Sequence, residues 1–181
     1  MTANRTKNAG DDGAALGPIV SSGHLASGAL PALSEVEFGM IILSHAFSRW
    51  TVRCMAAAGV PDLSAIDVLV LHNINHRGKP KTLADICLVL NIEDTHVVAY
   101  ALKKLERLKL IKSGKRGKEK LVLITAEGEA ACHRYSTIRE ALLVKSVLST
   151  EVSSDTLSQM ASRIRALSGH YDQASRAAAS L

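Results

Sequence analysis

Residues 97–124 constrain the fold more than any other stretch of this chain. Val97 to Leu108 reads as an amphipathic helix, and Leu110-Ile111-Lys112 follows it. A glycine-bounded basic tip then runs from Ser113 to Lys120, and an apolar strand from Leu121 to Ile124. Between Lys103 and Lys120 stand nine Lys or Arg against two Glu, a local excess of +7. The whole 181-residue chain carries only +5, so this segment holds more than the entire net positive charge. Such concentration points to one anionic partner on one face rather than to general stickiness.

The rest of the chain reads as helices around that unit. Hydrophobic residues make up 47% of the sequence but aromatic residues only 3%, so the core is built of Leu, Val, Ile and Ala and favours packed helices over a sheet sandwich. Cys54, Cys87 and Cys132 form no CxxC pair, and an odd, unpatterned count fits a reducing cytoplasm rather than a disulfide framework. No basic start followed by an apolar core of signal-peptide type is present. The most apolar run, Met40 to Ala58, is interrupted by His45, Arg49 and Arg53, which makes it a poor membrane span. The expectation is a cytoplasmic protein with no membrane partner.

Residues 1–34 are rich in Gly, Ala, Ser and Asn and lack sustained periodicity, so a flexible tail is expected there. Ser34 reads as the cap of a first helix with Glu35 and Glu37 in its first turn. Its Val36, Met40, Leu43, Phe47, Trp50 and Cys54 step by 4, 3, 4, 3 and 4, the rhythm of a helix-packing seam, and Gly59-Val60-Pro61 ends it. Ser64 and Asp67 open a second helix to about Asn75, with Ile66, Leu69, Val70 and Asn73 turned inward. Thr82 caps a short third helix, Asn91 to Asp94 turns, and a fourth runs from about Thr95 to Lys109. Its inward positions are Val98, Ala101 or Leu102, Leu105 and Leu108. Two strands flank a tip at Gly114 to Gly117, and Thr125 caps a fifth helix. Ser153 or Ser154 starts a last one, in which Leu157, Met160, Ile164, Leu167, Tyr171, Ala174 and Ala178 form a second seam. The two seams close either on a second copy of the chain or on each other.

A short helix, a turn, a longer helix and a basic glycine hairpin, in that order, make a winged helix-turn-helix. With its apolar face inward, the fourth helix presents Thr95, His96, Ala99, Tyr100, Lys103, Lys104 and Arg107. Thr95 and His96 lie at the helix N-terminus, Tyr100 and Lys103 reach bases or backbone, and Lys104 and Arg107 read as phosphate contacts. The wing adds Lys115, Arg116 and Lys118 among glycines, suited to a narrow minor groove or the backbone.

Those residues resemble the MarR family of winged-helix transcription regulators, from about residue 36 to the C-terminus. The most specific part is Leu102-Lys103-Lys104-Leu105-Glu106-Arg107-Leu108-Lys109-Leu110-Ile111-Lys112, the basic wing, and Leu121-Val122-Leu123-Ile124-Thr125-Ala126-Glu127-Gly128. The resemblance implies a homodimer held by N- and C-terminal helices on a pseudo-palindromic operator in double-stranded DNA, with a small-molecule effector as an added partner in some members. Departures are local: Val97-Val98-Ala99-Tyr100 stands where the family often has a Thr-Val-Thr-Arg-like stretch, Gly114 stands where a wing Asp is usual, and Lys109 where Gly is common.

The expected architecture is therefore mainly α. It comprises a tail (1–34), an N-terminal dimerisation helix (35–62), a winged helix-turn-helix lobe with a two-stranded wing (63–125) and C-terminal helices completing the dimer interface (126–181). The rival reading is a winged-helix module docking an acidic protein or RNA. His72 and His76, four apart, have metal-ligand spacing but no convincing further ligands, so no metal or cofactor is expected. Cys54 and Cys87 fall on apolar faces and read as small hydrophobes. Trp50 is assigned to packing ahead of an effector cavity. Neither a Gly-rich phosphate loop nor a motif-embedded nucleophile points to catalysis.

Overall fold

The computed structural model describes residues 17–181. The tail expectation for residues 1–16 lies outside the described residues. Two compact units divide the chain, one ending at Trp50 and one from Thr51 to Leu181.

In the first unit a 3-10 turn at Gly23–Ser27 precedes helix α1, Pro31–Ala57, which continues through the boundary. The expected cap at Ser34 is corrected by this start. Proline suits the first residue of a helix, whose N–H would be unsatisfied anyway, and Ser34 lies inside α1, buried, with its hydroxyl donating to the Leu25 carbonyl at 2.7 Å. On the same helix Val36, Ile41, Ile42, Leu43 and Phe47 stay exposed.

In the second unit the end of α1 turns at Gly59, φ 89°, with Val60 N–H donating to Met55 and Gly59 N–H to Ala56. Helix α2, Ala65–Asn75, starts on a capping box: the Ser64 hydroxyl accepts from Asp67 N–H and the Asp67 carboxylate from Ser64 N–H. Its buried apolar residues are Val68, Val70, Leu71 and Ile74. Ile66 and Leu69 are only half-buried, against expectation, because several elements cover the helix and shift its core face by part of a turn.

Helix α3, Leu83–Leu90, repeats the capping box with Thr82 and Asp85. It ends at Asn91 in the left-handed region, φ 53°, where Asn is tolerated. After the turn, α4 runs Thr95–Arg107 and buries Val98, Ala101 and Leu105 completely. Leu108 is exposed rather than inward: α4 ends two residues earlier than expected, so Leu108 leaves the helical phase.

Strands β1, Ile111–Arg116, and β2, Glu119–Ile124, pair antiparallel with Arg116 opposite Glu119. The loop is therefore only Gly117-Lys118, and Gly114, Lys115 and Arg116 belong to β1, a correction to the wider tip expected. Lys81 adds a bridge to Val122, with both backbone bonds made. Helix α5, Ala126–Arg139, passes through a π-helical turn, Glu140–Val144, into the short α6, Lys145–Leu148. Helix α7, Ser154–Ala178, is capped by Ser153 and contains no buried residue.

The start of α5 explains why Thr125-Ala126-Glu127-Gly128 follows β2. The Thr125 hydroxyl caps Gly128 N–H at 3.1 Å and lies 2.7 Å from the Lys109 carbonyl, to which it donates, and Thr125 N–H donates to Leu110. A Cβ on Gly128 would stand 2.1 Å from the Leu110 carbonyl oxygen, so only glycine lets α5 approach the base of the wing this closely.

Candidate nucleic-acid interface

Burial of Val98, Ala101 and Leu105 fixes the phase of α4. Thr95, His96, Tyr100, Lys103 and Arg107 then face outward, and Tyr100 is 71% exposed. Asp94 caps the helix by accepting from His96 N–H at 2.9 Å. That carboxylate already engages the helix N-terminus and adds a negative charge there, which weakens its attraction for a phosphate. Sequence reading took Asp94 as part of the turn and missed this.

Lys104 does not join the outward face. Its Nζ lies 2.8 Å from the Asp67 carboxylate and also donates to the Asp62 carbonyl; the two side chains are 19% and 2% exposed. The phosphate contact expected of Lys104 is corrected accordingly: the ammonium neutralises a buried carboxylate and ties α4 to the capping box of α2. Ser64-x-x-Asp67 was legible as a cap, but nothing local signals a lysine 37 residues away as its partner.

Arg116 pairs with Glu119 at 3.2 Å and Lys120 with Glu106 at 3.7 Å. Both pairs are exposed, worth at most about 1 kcal/mol, so a phosphate displaces the carboxylate at small cost. Among the described residues the other six cations of the segment, Lys103, Arg107, Lys109, Lys112, Lys115 and Lys118, form no ion pair. Glu106 also accepts from Ser113 N–H at 3.2 Å, which anchors the wing to α4. That hydrogen bond, aided by Lys120, holds the Glu106 carboxyl below its usual range. Helix and wing thus form one surface whose anions are few and engaged.

Lys109 sits in the left-handed region, φ 59°, one residue beyond the α4 cap at Leu108. Its N–H donates to Glu106 and that of Leu110 to Leu105, a Schellman turn that favours glycine. Lys81, unremarked in the sequence, donates its ammonium to the Asn73 and His76 carbonyls and holds the end of α2 beside the wing.

The remaining sequence candidates separate from this surface. His72 packs edge-on against Tyr135, ring centroids 4.5 Å apart, and its buried Nε2 has no hydrogen-bond partner among the described residues. Burial pushes its pKa down. His76 is exposed in a 3-10 turn, and among the described residues no group of three or more His, Cys, Asp or Glu is placed to hold a metal ion. All three cysteines are buried; burial raises the Cys54 thiol, and burial with Glu129 nearby pushes Cys132 up to about 11. No helix among the described residues is long and apolar enough to cross a membrane.

The family model for a winged helix DNA-binding domain matches residues 63–128, spanning α2 to the start of α5. A cysteine mutant of MarR from E. coli, solved in complex with operator DNA, superposes with a TM-score of 0.62 at 15% identity, over 78% of this chain and 99% of that one. This is the MarR-type winged-helix fold. A MarR family regulator from Neisseria meningitidis shares it with a TM-score of 0.61 at 15% identity, over 79% and 95% of the two chains. So does a Staphylococcus aureus MarR in complex with salicylate and kanamycin, at 0.60 and 16%, over 78% and 94%. No curated protein sequence matches the chain. Within the matched residues 63–128, α4 with the β1–β2 wing is the exposed basic surface.

Proposed function

We propose that this chain is a DNA-binding transcription regulator of MarR type, acting as a homodimer and repressing by occupying a pseudo-palindromic operator. The observation that carries the reading is the joint surface of α4 and the wing, with six unpaired cations and no free carboxylate within the Lys103–Lys120 segment. Helix α4 enters the major groove, with Thr95, His96, Tyr100 and Lys103 toward the bases and Arg107 on phosphate. Lys115, Arg116 and Lys118 take the minor groove or backbone. Lys104 acts from behind, holding α4 in place.

The dimer is supported by uncovered apolar side chains on each arm: Val36, Leu43 and Phe47 on α1, and Leu157, Met160 and Ile164 on α7. Two half-sites about one helical turn apart match two copies of α4. A small-molecule effector would release the operator by changing their spacing; the salicylate bound to the S. aureus relative supports that class of control. The protein works by binding rather than catalysis, in the cytoplasm.

Selection of bound sequences from a random duplex pool tests this. A two-fold symmetric site is expected for wild type, with enrichment lost in Lys103→Ala combined with Arg116→Ala. Each lost phosphate contact lowers the salt slope of log affinity by about 1. Failure to bind any duplex at low salt would overturn the reading.

A further inference from the structure

We infer that Val97 and Tyr100 select the operator by packing against thymine methyl groups in the major groove; the inference rests on the DNA-binding reading above. From Thr95 to Ala101 the recognition helix contains no Asn, Gln, Arg, Asp or Glu. The bidentate pairs with adenine and guanine and the carboxylate contact to cytosine are therefore unavailable over its first two turns. Beside Thr95 and His96, that stretch offers apolar surface. Val97 is 40% and Tyr100 71% exposed, three residues apart and so neighbours on one side of α4.

Val98, Ala101 and Leu105 fill the inward face of α4 with no exposure, and Val97 and Tyr100 lie outside that fully buried set. Covering two neighbouring apolar side chains on binding is favourable, in proportion to the apolar area removed from water. The unpaired Lys103 and Arg107 on the same helix, with Lys115 and Lys118 on the wing, commit that cover to an anionic groove. On the major-groove edges of the four bases, the apolar group is the C5 methyl of thymine. Val97 and Tyr100 match it in kind, and the flanking cations supply the affinity that brings them to it.

The probe is the duplex enriched from the random pool, remade with deoxyuridine replacing each thymine in turn, which removes only the methyl. Wild-type protein should lose about four-fold in affinity at one or two positions per half-site, the factor equivalent to burying one methylene-sized group. In Val97→Ala or Tyr100→Ala that loss should vanish at the matching position. Both changes are at exposed helix positions and to the best helix former, so the fold is retained, which urea unfolding checks.

Equal wild-type affinity for thymine and deoxyuridine duplexes overturns the inference and leaves the regulator reading standing. A deoxyuridine penalty that persists in both variants also overturns it, because the penalty then belongs to DNA deformability rather than to these side chains. Absence of any enriched duplex overturns both readings.

Discussion

Helices α4 and α7 are both amphipathic, yet the chain completes one and leaves the other open. On α4, Val98, Ala101 and Leu105 are fully buried, and even a lysine at the edge of that face, Lys104, finds a buried carboxylate. On α7, Leu157, Met160 and Ile164 remain 43%, 51% and 44% exposed, and no residue of the helix is buried. The same kind of sequence pattern thus has two outcomes. The lobe that carries the basic surface buries its own apolar face, whereas among the described residues nothing buries the apolar seam of α7.

The contrast is broken most severely at Lys104. Lys104→Met strands Asp67 with an uncompensated charge and should cost about 3–5 kcal/mol of stability. Urea unfolding measures it, and adding Asp67→Asn should recover most of the loss, since an amide oxygen still accepts from Ser64 N–H. A second copy on α7 is probed by Met160→Asp with Ile164→Asp. Dimer dissociation should become easier by about 3 kcal/mol, on the scale of burying two large apolar side chains. Sedimentation would then show monomers with the lobe still folded, and an unchanged dimer would count against α7 as interface.

Gly128→Ala drives a Cβ into the Leu110 carbonyl and should destabilise by about 1–3 kcal/mol, read as a lower thermal midpoint. Lys109→Gly works the other way: relief of the left-handed backbone should stabilise by about 1 kcal/mol without weakening the fold of the wing. The smallest expected effect is a pH dependence from His72. Its folded pKa lies below the unfolded value of about 6.5, so the unfolded state binds more protons in that window. Stability is full above about pH 6.5 and falls as the pH drops through that value toward the folded pKa. Urea midpoints at pH 5 and 7.5 should differ in wild type and less in His72→Phe.

Much of the lobe was legible because its signals are local. Ser64, Thr82, Thr125 and Ser153 each cap a helix by accepting a hydrogen from a backbone N–H three residues on, and that needs only a short stretch of sequence to recognise. The basic segment was equally visible, and Lys103 and Arg107 are exposed on α4 where helical periodicity puts them. Ser34 misled because a hydroxyl beside two glutamates looks like a cap, while Pro31 starts the helix three residues earlier. The wing tip misled because two glycines bracket it, and strand pairing rather than composition decides which of them turns.

Sequence by itself determined the order of the main helices and the wing, the caps at Ser64, Thr82, Thr125 and Ser153, and the concentration of charge on one helix and hairpin. These follow from hydrogen bonds and side-chain periodicity that span a few residues. Tertiary structure alone decided that Lys104 faces inward, because its flexible stem lies at the edge of the apolar face and only a carboxylate from α2 settles its direction. It also decided that Ile66 and Leu69 stay half-buried and that Leu108 is exposed, since which neighbours of a helix bury which residues depends on elements far apart in the chain. Local interactions fix what each segment becomes. Long-range packing fixes which of its side chains remain free to act.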